Sequence, residues 1–128
     1  MLYALLCYHD EKVVTGWSKD QDDAVLAKRE KVTGRLAAQG KLGPAARLMP
    51  TTAAATVKMG PEPVVLDGPF AETKEQLLGF YIVECETLED AVALAKDIGR
   101  EETVTFEIRP LRLYKPGGKV RAEGVVAQ

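Results

Sequence analysis

Four side chains in this sequence have types and spacing suited to moving a proton: His9, Asp67, Glu72 and Glu75. Asp67 opens the run Asp67-Gly-Pro-Phe70, a turn by composition. Its carboxylate can accept backbone N–H bonds in that turn. Alternatively, Pro69 and Phe70 exclude water from it, and it then serves as a general base. Glu72 and Glu75 follow three residues apart, so a single helical turn would set them on one side, as orienting groups for Asp67. Three converging carboxylates would raise one pKa or hold a hard cation. Lys74, between the two glutamates, can neutralise the cluster or contact a ligand. The plainer reading of Glu72, Lys74 and Glu75 is a solvated charged loop. As the only imidazole in the sequence, His9 is the best single proton shuttle available. His9 with Asp67 is therefore the sharpest acid/base pairing that the sequence permits, with Phe70 and the Tyr81 hydroxyl as ligand contacts.

Composition narrows the chemistry. The chain has one His and two Cys, which rules out a zinc site of the usual His/Cys type. Cys7 and Cys85 lie in apolar segments without basic neighbours in sequence, and they read as buried thiols in a reducing compartment. Neither a P-loop pattern nor GxGxxG occurs, so no cofactor is expected. A net charge of −2 argues against nucleic acid binding, although residues 109–128 are locally basic. No apolar run approaches the ~20 residues of a membrane span. The N-terminus lacks a positively charged region and a small-residue cleavage site, so the cytoplasm is the expected compartment.

The elements that would position these groups can be read from periodicity. The 128 residues suit one domain. Leu2–Tyr8 is apolar in both side-chain parities and reads as a central strand, ended by His9-Asp10-Glu11-Lys12. A helix capped by Ser18 or Asp20 should run to about Gln39, with Val25, Val32 and Leu36 inward, widened by Leu26 and Ala37. Lys28, Arg29, Lys31 and Arg35 occupy the remainder. Gly40 supplies a left-handed cap and Gly43-Pro44 prevents continuation. Ala46–Leu48 reads as a short strand. Ala54–Met59 and Val64–Leu66 read as hairpin arms. Ala71–Leu78 is a polar loop or one helical turn, and Gly79–Cys85 a strand. Thr87 caps a second helix with Ala91, Leu94, Ala95 and Ile98 inward, ended by Gly99. Val104, Phe106 and Ile108 alternate with polar residues in a last strand, stopped by Pro110.

This order predicts an α+β fold of the ferredoxin-like, split βαβ kind: a mainly antiparallel sheet, two helices on one face, and an extra hairpin. The domain should span 1–114, with a C-terminal tail over 115–128 that is disordered or packs on a partner. One apolar sheet face has no local cover, which predicts a homodimer.

The run Asp67-Gly-Pro-Phe-Ala-Glu-Thr-Lys-Glu75 with Leu78-Gly-Phe-Tyr-Ile-Val-Glu84 resembles the DGPF-type branch of the YCII-related proteins. Further similarity lies in Leu36–Gly43, Leu48–Pro50, Ala55–Lys58, Leu88–Ala91 and Glu107–Pro110, so it covers about residues 1–114. The resemblance implies a dimeric α+β barrel with a cleft. It implies either cofactor-free acid/base chemistry on a small molecule or a non-catalytic accessory module beside an extracytoplasmic-function sigma factor. The enzymatic branch of the family carries its His on the first helix; here Gln21–Gln39 has none and His9 is the single one.

Overall fold

A computed structural model of the chain describes residues 1–125. It contains six strands and three α-helices among those residues: β1 Leu2–His9, α1 Glu11–Thr15, α2 Lys19–Ala38, β2 Leu42–Arg47, β3 Ala55–Lys58, β4 Val64–Asp67, β5 Gln76–Glu84, α3 Leu88–Ile98 and β6 Thr105–Pro110. The main sheet has the order β2-β5-β1-β6, with every neighbouring pair antiparallel. β1 and β2 therefore run parallel with β5 between them, which is the split βαβ order expected from the sequence. The hairpin β3–β4 forms a sheet of its own.

Strand parity explains the core. Tyr3 and Leu5 of β1 and Val83 of β5 point to the helical face, where they pack with Ala91, Ala95 and Ile98 of α3. Val32 and Leu36 of α2 close over the same cluster. The other parity, with Leu2, Ala4, Leu6, Phe80 and Ile82, turns to the opposite face of the sheet. β1 is apolar in both parities because it is a central strand with side chains on both faces.

The cap of α2 is fuller than expected. Ser18 Oγ accepts from the Gln21 N–H at 3.1 Å, and Gln21 Oε1 accepts from the Ser18 N–H at 2.9 Å. This reciprocal capping box fixes the chain just before α2. Ser18→Ala should cost about 1 kcal/mol and lower the thermal midpoint by about 3–5 °C in a circular dichroism melt. A shift below about 1 °C would show the cap to be energetically idle. Gly40 has φ +70, the left-handed conformation that ends α2.

Several local readings are corrected. The polar stretch after β1 is a short helix, because the Asp10 carboxylate accepts from the Lys12 N–H and caps it. β2 begins at Leu42 and includes Gly43-Pro44. Proline is tolerated there because β2 is an edge strand and its register shifts between Leu42 and Ala45. Residues 71–75 form a loop without a helical turn, and the strand starts at Gln76. Of the tail, Ala122–Gly124 is a short 3-10 turn, and residues 126–128 lie outside the described residues. Among the described residues, no helix is long and apolar enough to cross a membrane.

Candidate functional site

A cavity of about 240 Å³ lies between α2 and the helical face of the sheet. β1 supplies Cys7 and His9, β5 supplies Gly79 and Tyr81, and α2 supplies Asp22, Val25, Leu26 and Arg29. Trp17 closes one end and Glu102 another. A bulge helps to shape it. Cys7 pairs with Gly79 but Tyr8 pairs with Leu77, so β5 carries one extra residue, Leu78, and that residue turns into the cavity wall.

His9 is 8% exposed, the one imidazole of the chain, and it is held from both ring nitrogens. Nδ1 lies 3.2 Å from the Asp10 carbonyl oxygen, which can only accept, so Nδ1 carries the proton. With the proton on Nδ1, Nε2 is the nitrogen that can accept, and it lies 2.7 Å from the Thr103 hydroxyl. The Trp17 ring meets the imidazole edge-on with centroids 6.3 Å apart. Tautomer and ring plane are thus fixed, and Nε2 is the basic nitrogen.

The opposite wall is ionic. Glu102 accepts from Arg29 Nη2 at 2.6 Å, Arg29 Nε at 3.0 Å and Lys28 Nζ at 2.6 Å. Its side chain is 6% exposed. Burial pushes the Glu102 carboxyl up, but the hydrogen bonds and charges of Arg29 and Lys28 outweigh burial and hold it below the usual carboxylate range. Burial likewise disfavours the charged form of Arg29, while the Glu102 and Tyr81 contacts prevail and raise its pKa. Arg29 Nη1 reaches the Tyr81 hydroxyl at 3.4 Å, which leaves the tyrosine proton free to donate. Arg29, placed by the sequence pattern outside the apolar stripe, is therefore turned inward, and Lys28 is half-buried beside it. Arg29 also stands near Cys7, whose surroundings in sequence held no base. Burial still dominates there and pushes the Cys7 thiol up to about 11, so it is not a nucleophile at neutral pH.

A second ion pair borders the cavity. Arg47, at the end of β2, grips Asp22, on the first turn of α2, through bonds of 3.0 and 2.8 Å. The two side chains are 41% and 27% exposed. Pairs of this exposure contribute ~0–1 kcal/mol, whereas removing one partner of a buried pair such as Arg29–Glu102 costs about 3–5 kcal/mol. One pair is an exchangeable clasp, and the other is fixed structure.

The residues singled out in the sequence divide by position. His9 and Tyr81 line the cavity. Asp67 ends β4, and Glu72, Lys74 and Glu75 lie in the loop after it, all exposed and all outside the lining. Phe70 is 86% exposed. Glu75 Oε1 accepts from the Thr105 hydroxyl at 3.4 Å. Among the described residues no group of three or more His, Cys, Asp and Glu is placed to hold a metal ion. Thr103, Arg29, Glu102, Asp22 and Arg47 were not singled out as site residues. Of these, Arg29 alone left a trace in the sequence, because it sits four residues after Val25 and three before Val32, on the inward stripe.

Comparison with known proteins gives a consistent result. The family model described as YCII-related domain matches residues 1–115. A protein of Rhizobium meliloti (strain 1021), described as uncharacterized, is 52% identical over 120 residues, covering 91% of this chain and 97% of that protein.

Proposed function

This chain belongs to the YCII-related family, and from that premise we propose a small cofactor-free binding protein with acid/base capacity, of the DGPF-type branch. Its ligand is a small, partly apolar molecule with an acidic proton, seated in the cavity between α2 and the sheet. The observation that carries this reading is His9: buried on the cavity wall, with its tautomer fixed so that Nε2 is the proton acceptor. The ligand's acidic group replaces Thr103 at Nε2, the proton moves to the ring, and the Tyr81 hydroxyl donates to the ligand's developing negative charge.

The working unit in this reading is two chains, joined through the apolar sheet face opposite the helices. Asp67, Glu72 and Glu75 act as base and orienting groups only in that unit, where the exposed hairpin and its turn meet the other copy. Exposed Val57, Met59 and Val65 on the hairpin, with Phe70 beside it, support an intermolecular contact there. A monomeric mass in sedimentation equilibrium at 100 µM, a concentration chosen as roughly saturating for a micromolar dimer, would remove this part of the reading.

The test of the chemistry is solvent-deuterium exchange at the acidic C–H of a bound ligand, found by thermal shift against small organic acids and phenols. His9→Asn should leave ligand binding within a few-fold and slow exchange by about 10²–10⁴. Unchanged exchange in the variant defeats the acid/base role. If no compound stabilises the wild-type protein, the cavity reading falls and a non-catalytic accessory module, such as a sigma-factor partner, takes its place.

A further inference from the structure

A second cavity, of about 360 Å³, adjoins the first on the outer side. The two share Val14, Trp17, Asp22, Arg47 and Leu78 as lining residues. Ligand sites of small molecules run to ~300–1,000 Å³, so the inner cavity alone falls short and the joined pair falls well inside that range. Val14 of the short helix α1, Trp17 after it, Leu78 and the Arg47–Asp22 clasp thus face both spaces.

The charges facing these spaces are unequal in their freedom. In the inner cavity Arg29 is locked on buried Glu102. In the outer cavity Glu11 already accepts from the Thr51 N–H at 2.9 Å and from the Thr51 hydroxyl. Lys19 stands largely in solvent and pairs at 2.8 Å with Asp23, one helical turn on. Arg47 is the cation that both cavities present, and its partner Asp22 holds it in a half-exposed pair that costs little to exchange. A guanidinium already arranged for two parallel bonds to a carboxylate will accept another carboxylate in the same geometry.

We propose that the two cavities form one bipartite site for a small amphipathic carboxylate. The apolar body lies in the inner cavity against Val25, Leu26 and Tyr81. The carboxylate lies in the outer one, where it takes Arg47 from Asp22. This rests on the reading of the inner cavity as a ligand site, and adds the class of ligand and the residue that selects it.

Calorimetric titration with matched probes tests it: hexanoate and phenylacetate against hexanol and phenylethanol. The wild-type protein should prefer each carboxylate by about tenfold. Asp22→Asn, which loosens the clasp, should tighten carboxylate binding several-fold and leave the alcohols unchanged. Arg47→Gln should erase the preference while the alcohols still bind. Asp20→Asn makes the same charge change on the first turn of α2, at an exposed residue that lines neither cavity, so it should behave as wild type. Alcohols bound as tightly as carboxylates, or a preference that survives Arg47→Gln, would overturn the bipartite site and leave the inner cavity standing as a ligand site. Failure of all four probes to bind would overturn both.

Discussion

Glu102→Gln is expected to lower the thermal midpoint by about 10–15 °C near pH 7, corresponding to a loss of about 3 kcal/mol. The substitution keeps the side chain's shape and removes its charge, so no cavity term enters. What remains is a buried Arg29 guanidinium without its counter-charge, and a Lys28 ammonium left on the Arg100 carbonyl. The effect should depend on pH in a definite sense. The Glu102 carboxyl is held lower in the folded chain than in the unfolded one, where its value is about 4.3. A depressed folded-state pKa gives stability that is fully present above the unfolded value and is lost as pH falls through the folded one. Arg29, whose pKa is raised, stays protonated throughout this range. The gap between wild type and variant in urea unfolding should therefore be constant from pH 7 to about 5.5 and narrow below about pH 4. A gap under about 1 kcal/mol, or one that does not narrow in acid, would mean that the Arg29–Glu102–Lys28 group contributes no more than a surface pair.

The same ionic group shows where reading the sequence stops. Residues 25, 29, 32, 33 and 36 lie along one helical stripe, and a purely apolar pattern admits Val25, Val32 and Leu36 but assigns Arg29 to solvent. The partner that makes Arg29 an inward residue lies 73 positions away, at Glu102. Glu102 follows Glu101, which has φ +67, a conformation that sequence signals reserve for glycine or asparagine. By contrast, the start and end of α2, the N-cap of α3 and the hairpin β3–β4 depend on neighbours within a few residues, and they were legible for that reason. α1 has five residues, too few to show a period, and only the capping Asp10 signals it. The start of β2 was hidden because Gly43-Pro44 reads as a stop, yet an edge strand needs no N–H at every position. The site follows the same division. His9 and Tyr81 reach the cavity through the strands that carry them, whereas the Asp22–Arg47 clasp joins elements whose approach is set by the sheet as a whole.

That approach rests on Gly79, and the second large effect is expected there. Gly79 lies on β5 opposite Cys7 on one side and Arg47 on the other. A Cβ at this position would sit 2.5 Å from the Ala46 carbonyl oxygen and 3.3 Å from the Arg47 Cα. Both obstacles are backbone, so no side-chain rotation relieves them. Gly79→Ala must either strain the strand pair or push the edge strand β2 away, at a cost of about 2–3 kcal/mol. The edge is the softer element, so the β2 amides should lose hydrogen-exchange protection before the β1 amides do. Gly34→Ala, in α2 with open space around its Cβ, is the matched control. It should stabilise the helix by about 0.5–1 kcal/mol. If β2 moves, Arg47 leaves Asp22 and the cavity loses one wall, so Gly79→Ala should weaken carboxylate and alcohol probes together, unlike Arg47→Gln. A Gly79→Ala protein as stable as wild type, with β2 protection intact, would show that β2 and β5 need no such close approach, and that the clasp is positioned by something other than the bare backbone at Gly79.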